Sequence, residues 1–136
     1  MANTLNLEIV TPTAVVYSKD VHMVTLPAVE GELGVYPQHV PLVTQIMSGE
    51  VIVRKGGQDL FLAVGEGFVE ITGNRVAVMT DMAISAENID EAKAEEARRR
   101  AEARLAEQLD DVEAASVSAS LAHSLAQLKV KRRQRK

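Results

Sequence analysis

Three histidines, His22, His39 and His123, are the residues of this 136-residue chain best suited to general-base or metal-ligand chemistry near neutral pH, and they stand far apart. None has a second histidine or a carboxylate at a recognised ligand spacing. The chain has no cysteine, which removes disulfides, thiolate zinc sites and cysteine nucleophiles together. Gly65-Glu66-Gly67 lies between strand-like segments and reads as bulge or turn chemistry rather than as a phosphate-cradling loop. Catalysis needs a nucleophile, a base and an orienting group, or converging metal ligands. Neither set is legible, so a non-catalytic protein with no metal or obligate cofactor is expected.

The chemistry that remains is recognition. Residues 26–41, LPAVEGELGVYPQHVP, hold three of the four prolines and two of the eight glycines, which predicts a shaped turn rather than a plain strand. Pro37 and Pro41 fix φ on either side of His39, so Glu32 and His39 together read as a stiff polar docking tip. The other reading is that His39 only satisfies loop backbone groups. At the far end, residues 129–136 (KVKRRQRK) carry six positive charges and no negative one, on Lys129, Lys131, Arg132, Arg133, Arg135 and Lys136. Such a run is an electrostatic hook for an acidic protein surface, anionic lipid or nucleic acid, or else a solvated terminus. Aromatic residues at 3% argue against a base-stacking surface.

Two kinds of element must position these groups. All glycines, prolines and aromatics fall between Pro12 and Asn74, whereas residues 85–128 contain twelve alanines with Glu, Lys, Arg and Leu, the strongest helix formers. Leu5, Leu7 and Ile9 alternate with polar residues at the strand period. Gly56-Gly57 and Gly73-Asn74 separate β-branched runs and predict tight hairpins. Residues 1–84 therefore read as an antiparallel β-sandwich or flattened barrel of eight to ten strands, and the fold class as α+β. Residues 85–136 read as an antiparallel two-helix hairpin with a basic tail. The first helix is expected to start between Ser85 and Ile89, with a stripe of Ile89, Ala92 or Lys93, Ala97, Ala101 and Leu105. Asp110 or Asp111 is expected to cap the second, whose face is Val117, Leu121, Leu125 and Leu128 beside Ala115, Ala119, Ala122 and Ala126.

An alanine methyl buries only a fraction of the roughly 1.5–3 kcal/mol that a leucine side chain contributes. A hairpin held by alanines should therefore open, or repack on a partner, at modest cost; the other reading of the same composition is a static helical appendage. The charge divides at the same place: residues 1–84 have four basic and nine acidic groups, residues 85–136 eleven and ten. No apolar run approaches the roughly 20 residues of a membrane helix, and the N-terminus has no basic-then-apolar layout, so a cytoplasmic location is expected.

The runs EGELGVYPQHVPLVTQIMSGEV, FLAVGEGFVEITGNRVAVMTDMA and ENIDEAKAEEARRRAEARL resemble the epsilon subunit of the bacterial rotary F-type ATP synthase along nearly the whole chain. Gly31, Gly34, Pro37, His39, Pro41 and Leu42 match the family's GxxGxxPxHxPL loop, Gly49 its next glycine, and Gly65, Gly67 and Phe68 its approach to the last hairpin. The resemblance implies a non-catalytic rotor subunit of a proton- or sodium-driven synthase, peripheral on the cytoplasmic face of the bacterial plasma membrane and membrane-associated only through the complex. It implies that the sandwich binds the gamma subunit and rests on the c-subunit ring, with Glu32 and His39 facing that ring, and that nucleic acid is not a partner. It further implies a hairpin that extends toward the alpha and beta subunits and obstructs hydrolysis, its basic tail meeting acidic beta surface. Some members bind ATP between the helices through an I/L-D-x-x-R-A motif and two arginines one turn apart. Here the matching positions are Ile89, Asp90, Lys93 and Ala94, with His123 and Gln127 on the second helix. Losing the planar fork donors weakens phosphate binding, so ATP is expected only as a weak regulatory ligand or not at all. The reading from a different class is a β-sandwich adaptor whose basic tail binds nucleic acid or an anionic membrane.

Overall fold

A computed structural model describes residues 3–134. Ten strands come first: β1 (Leu5–Thr11), β2 (Ala14–Val21), β3 (Met23–Ala28), β4 (Gly31–Val35), β5 (His39–Ile46), β6 (Gly49–Lys55), β7 (Gln58–Val64), β8 (Gly67–Gly73), β9 (Arg75–Thr80) and β10 (Ala83–Ser85). A 3-10 turn, Ala86–Asn88, leads to α1 (Glu91–Leu105) and α2 (Asp111–Gln134). The strands follow the order β10-β7-β6-β3-β5-β8-β9-β1-β2, with β4 on β3. The sheet folds over where β3 and β5 share the single pair Ala28↔Ile46, which makes a nearly closed sandwich. The α+β fold of sandwich followed by helical hairpin is the one the composition predicts.

Period-two alternation builds the core. Leu5, Leu7 and Ile9 of β1, Val51 and Val53 of β6, Val69 and Ile71 of β8, and Val76 and Val78 of β9 all turn inward and are buried. Gly56 and Gly57, at φ 61° and 80°, supply the left-handed pair that the β6–β7 turn needs. All pairings are antiparallel except β1 with β9, which is parallel. No local signal announces that pairing, because the strands come from opposite ends of the sandwich sequence.

Residues 26–41 are not one loop. They form a β3–β4 hairpin with Val24↔Val35 through Ala28↔Gly31 paired, then a turn at residues 36–38, then the start of β5. The register of β5 on β8 slips between His39 and Leu42, where Pro41 has no N–H for a ladder. Gln38 has φ 65°, and its N–H donates to Asn74 Oδ1 at 2.7 Å, tying this turn to the β8–β9 tip.

The helices also depart in detail from the predicted stripes. Ile89 and Asp90 are extended, and α1 starts only at Glu91, because Asp90 is its cap: Lys93 N–H donates to Asp90 Oδ1 at 3.1 Å. On α1 it is Ala94 and Ala101 that are buried, while Ala92 and Lys93 are exposed. On α2 Leu125 is 47% exposed, whereas Ser124, Ala126, Leu128 and Val130 are buried. The predicted single stripe fails because α2 has two neighbours, α1 on one side and the sandwich on the other. Ser124 tolerates burial by donating its hydroxyl to Ser120 O at 3.1 Å.

The cap of α2 is Asp110, whose Oδ1 accepts the Glu113 N–H at 2.7 Å. That backbone bond first, then the Glu113 side chain and the Val112 N–H, hold the Asp110 carboxyl below its ordinary value. A lowered carboxyl stabilises the fold above its unfolded-state value and loses this contribution as pH falls through the folded value. Acidifying from about pH 5 to about pH 2.5 should therefore unprotect the Glu113 amide in hydrogen exchange, and Asp110→Asn should remove that pH dependence.

Candidate functional site

Three surfaces carry the groups with chemistry. The first is the seat of α2 on the sandwich. Ala126 and Val130 pack with Ala63, Ala86 and Ile89, flanked by Phe61, Met82 and Ile84. Polar contacts surround this small apolar patch. His123 Nε2 lies 3.2 Å from both carboxylate oxygens of Asp81. Gly65 makes room for that meeting: a Cβ there would stand 1.9 Å from Asp81 Oδ1 and 2.7 Å from His123 Nε2. Lys131 Nζ donates to Ala86 O at 3.2 Å. Arg133 Nε lies 3.0 Å from Glu50 Oε2, and its guanidinium stands 5.7 Å from the centre of the Phe61 ring.

Among the described residues the basic segment is the end of α2, and Lys131, Arg132 and Arg133 meet partners within the chain, where the sequence suggested a free hook or a solvated end. α2 runs on into the basic segment because Val130, fully buried, continues its apolar contact. Arg132 bonds Glu91 Oε1 at 3.3 Å and Glu95 Oε2 at 2.9 Å, closing the hairpin onto α1. Hydrogen bonds from Arg98 first, and from Arg132, hold the Glu95 carboxyl below its ordinary value. Lys129 is exposed. Arg135 and Lys136 lie outside the described residues.

The second surface is the cleft between the helices, about 440 Å³, lined by Lys93, Ala94, Glu96, Ala97, Arg100, Ser124 and Gln127. It unites Lys93, Ala94 and Gln127 of the six residues picked out from the sequence. The other three are engaged elsewhere: Ile89 is buried beneath α2, Asp90 caps α1, and His123 turns to Asp81. Gln127 Nε2 also reaches Met82 Sδ at 3.9 Å. Arg100, seven residues beyond Lys93 on the same helical face, also lines the cleft, and its guanidinium meets Glu96 Oε1 at 3.2 Å. Among the described residues no three His, Asp or Glu side chains converge as a metal site.

The third surface is the outer face of the β5-β8-β9-β1 layer. Phe68 and Met79 are cross-strand partners, about half exposed, with Gln45 beside Phe68 and Val10 beside Met79. Grooves of about 380 and 390 Å³ lie on either side, the first lined by Val29, Met47 and Phe68, the second by Val10, Pro12 and Met79. No strand alternation requires large apolar groups on a solvated face, so this patch is fit for a partner. The predicted docking tip, by contrast, is split. His39 opens β5 opposite Gly73, and its Nδ1 lies 2.6 Å from Val40 O. Glu32 pairs with Pro27, whose carbonyl accepts the Met47 N–H beyond the other end of β5. Roughly 20 Å of strand separates the two.

Comparison with known proteins finds two family models that match successive parts of the chain. The model of the ATP synthase delta/epsilon chain β-sandwich domain matches residues 4–86, and that of the delta/epsilon chain long α-helix domain matches residues 87–132. The chain belongs to the ATP synthase delta/epsilon family. Relatives within it include the ATP synthase epsilon chain of Halorhodospira halophila, 40% identical over 93% of this chain and 92% of the relative. The epsilon chain of Pelotomaculum thermopropionicum is 48% identical over 76% and 77%. The same fold is found in a chain of the Euglena gracilis mitochondrial ATP synthase F1/c-ring assembly, at TM-score 0.78 and 23% identity over 95% of this chain and 81% of that one. A chain of the Tetrahymena thermophila mitochondrial ATP synthase central stalk and c-ring gives 0.63 and 11%, over 97% and 96%. As a delta/epsilon family member the protein is a stalk component of ATP synthase, and no helix among the described residues is long and apolar enough to cross a membrane.

Proposed function

We propose that the chain is a rotor subunit with no active site of its own, whose sandwich couples the stalk to the ion-driven ring and whose hairpin restrains ATP hydrolysis. In this reading residues 1–84 dock on the gamma subunit through the face around Phe68 and Met79. The end that carries Glu32, and separately the His39 turn, approach the c-subunit ring, on the cytoplasmic side of the bacterial membrane. Residues 85–136 lift from the sandwich and reach the alpha and beta subunits, where the freed arginines and lysines of α2 meet acidic surface. The observation that carries the reading is the thinness of the α2 seat: its buried apolar members are Ala63, Ala86, Ile89, Ala126 and Val130, three of the five alanines. Its exposed ion pairs contribute about 0–1 kcal/mol each, so release is cheap compared with unfolding.

The test compares ATP hydrolysis by the assembled synthase carrying the full chain with that of the same assembly carrying a chain ended after Ser85. The shortened chain should raise hydrolysis several-fold. Equal rates with the assembly intact would remove the inhibitory role. For the inter-helix cleft, the expected result of calorimetric titration with MgATP is no saturable heat at micromolar nucleotide. Among the described residues Lys93 is the cation of the cleft that meets no carboxylate, and a lysine is a point charge rather than a fork. Micromolar binding would sink the claim.

A further inference from the structure

Glu50 is a buried acid that neither coupling nor the inter-helix cleft requires. It stands on β6 opposite Ala63 of β7, and paired residues point to the same face of a sheet. That face is the one α2 covers, since Ala63 packs with Ala126 and Val130. With the hairpin seated, the Glu50 side chain is only 5% exposed, and its Oε2 receives no aligned hydrogen bond from the described residues although Arg133 Nε is 3.0 Å away. Without α2 the same carboxylate would stand on an open sheet surface.

We propose that Glu50 is a proton-linked latch for the hairpin: seating α2 strips water from this carboxylate, Arg133 compensates for only part of the loss, and protonation of Glu50 tightens the docked state. The inference rests on the reading that the hairpin leaves the sandwich. Among the described residues the charged groups that face Glu50 are Arg133 and Lys129 from α2 and Glu32 from β4. Burial pushes the Glu50 carboxyl above its ordinary value; Arg133 and Lys129 pull it back, and Glu32 pushes it further. The sign follows. A group whose docked value is raised favours docking below its free value, and this contribution is lost as pH rises through the docked value. Acid therefore closes the hairpin and alkali loosens it, in a window that begins near a free glutamate's ~4.3 and extends upward.

The absence of cysteine makes the readout direct. Spin labels on Gln58→Cys, at the exposed β6–β7 turn, and Val112→Cys, at the exposed start of α2, report the docked and released distances in the full chain by electron double resonance. Arg133→Gln should raise the released-to-docked ratio about tenfold at neutral pH, because it leaves Glu50 buried without its partner. Glu50→Gln should not open the hairpin, and should restore docking when combined with Arg133→Gln. The wild-type ratio should fall on acidification, and the difference between wild type and Glu50→Gln isolates Glu50 from the Asp81–His123 pair, which is present in both. If Glu50→Gln opens the hairpin as far as Arg133→Gln, the pair is an ordinary stabilising bridge and the latch is refuted. It is likewise refuted if a released population exists and none of these variants moves it. A single docked distance in every sample would instead overturn the release of the hairpin itself, and the latch with it.

Discussion

Replacing Gly67 by alanine should lower the urea midpoint of the sandwich by roughly 1–3 M, a loss of about 3 kcal/mol. A Cβ built on Gly67 stands 1.9 Å from the carbonyl oxygen of Met79 and 2.8 Å from both its carbonyl carbon and Thr80 Cα. These are backbone atoms of the paired strand, so no side-chain rotation relieves the clash. The strand end cannot retreat cheaply either. Buried Thr80 donates its hydroxyl to Glu66 O at 3.1 Å, and the Asp81 N–H donates to the same carbonyl at 3.2 Å. Separating β8 from β9 there opens the edge of a core that includes Val69 and Val78. Gly57→Ala is the informative comparison. Its φ is +80° but nothing lies within 4 Å of the added methyl, so it should lose only about 1–2 kcal/mol. A loss at Gly67 no larger than that at Gly57 would show that the strand end gives way to the added methyl, so that contact with Met79 does not require glycine there.

That pair of glycines also shows what a sequence can and cannot disclose. Gly56-Gly57 was legible as a hairpin because a two-residue turn is a local event with local rules. Gly67 was legible only as bulge or turn chemistry, since its real constraint comes from Met79, a residue on another strand. The same division runs through the fold. Alternation in β1 and the Asp110 cap of α2 depend on neighbours in sequence, and both could be read. The parallel β1–β9 pairing, the separation of Glu32 from His39 along β5, and the rotation of α2 that buries Ser124 and exposes Leu125 depend on what packs against each element. The basic segment shows the limit most sharply. Its charge suggested solvent or a distant acidic partner, yet Glu91 and Glu95 on α1 and Glu50 on β6 supply acids within the chain. Glu50 had no sequence signal, because it is out of phase with the inward-facing Val51 and Val53, a position that normally leaves a glutamate in water.

Introducing Phe68→Glu and Met79→Glu together should leave the isolated protein folded and weaken its association with the stalk more than a hundredfold. Both side chains are about half exposed, and both alternate with inward neighbours, Val69 and Val78, that hold the strands in place. Substitutions at such exposed positions typically change stability by about 0.5 kcal/mol or less each. In a complex the balance differs. The proposed contact is led by one aromatic ring and one thioether, set between two grooves, and anchors of this kind dominate the binding energy of an interface. Two carboxylates there would each lose hydration without a partner, at about 1–3 kcal/mol or more apiece, so a loss of about 3 kcal/mol is a conservative expectation. Binding to immobilised gamma subunit, read as dissociation rate, gives the measurement. Val112→Glu, on the hairpin and 80% exposed, provides the control and should bind as wild type does. Wild-type binding by the double variant would move the docking surface away from this face. Loss of binding by Val112→Glu as well would implicate the hairpin in holding the subunit on the stalk, a role that a thinly seated element is poorly built to fill.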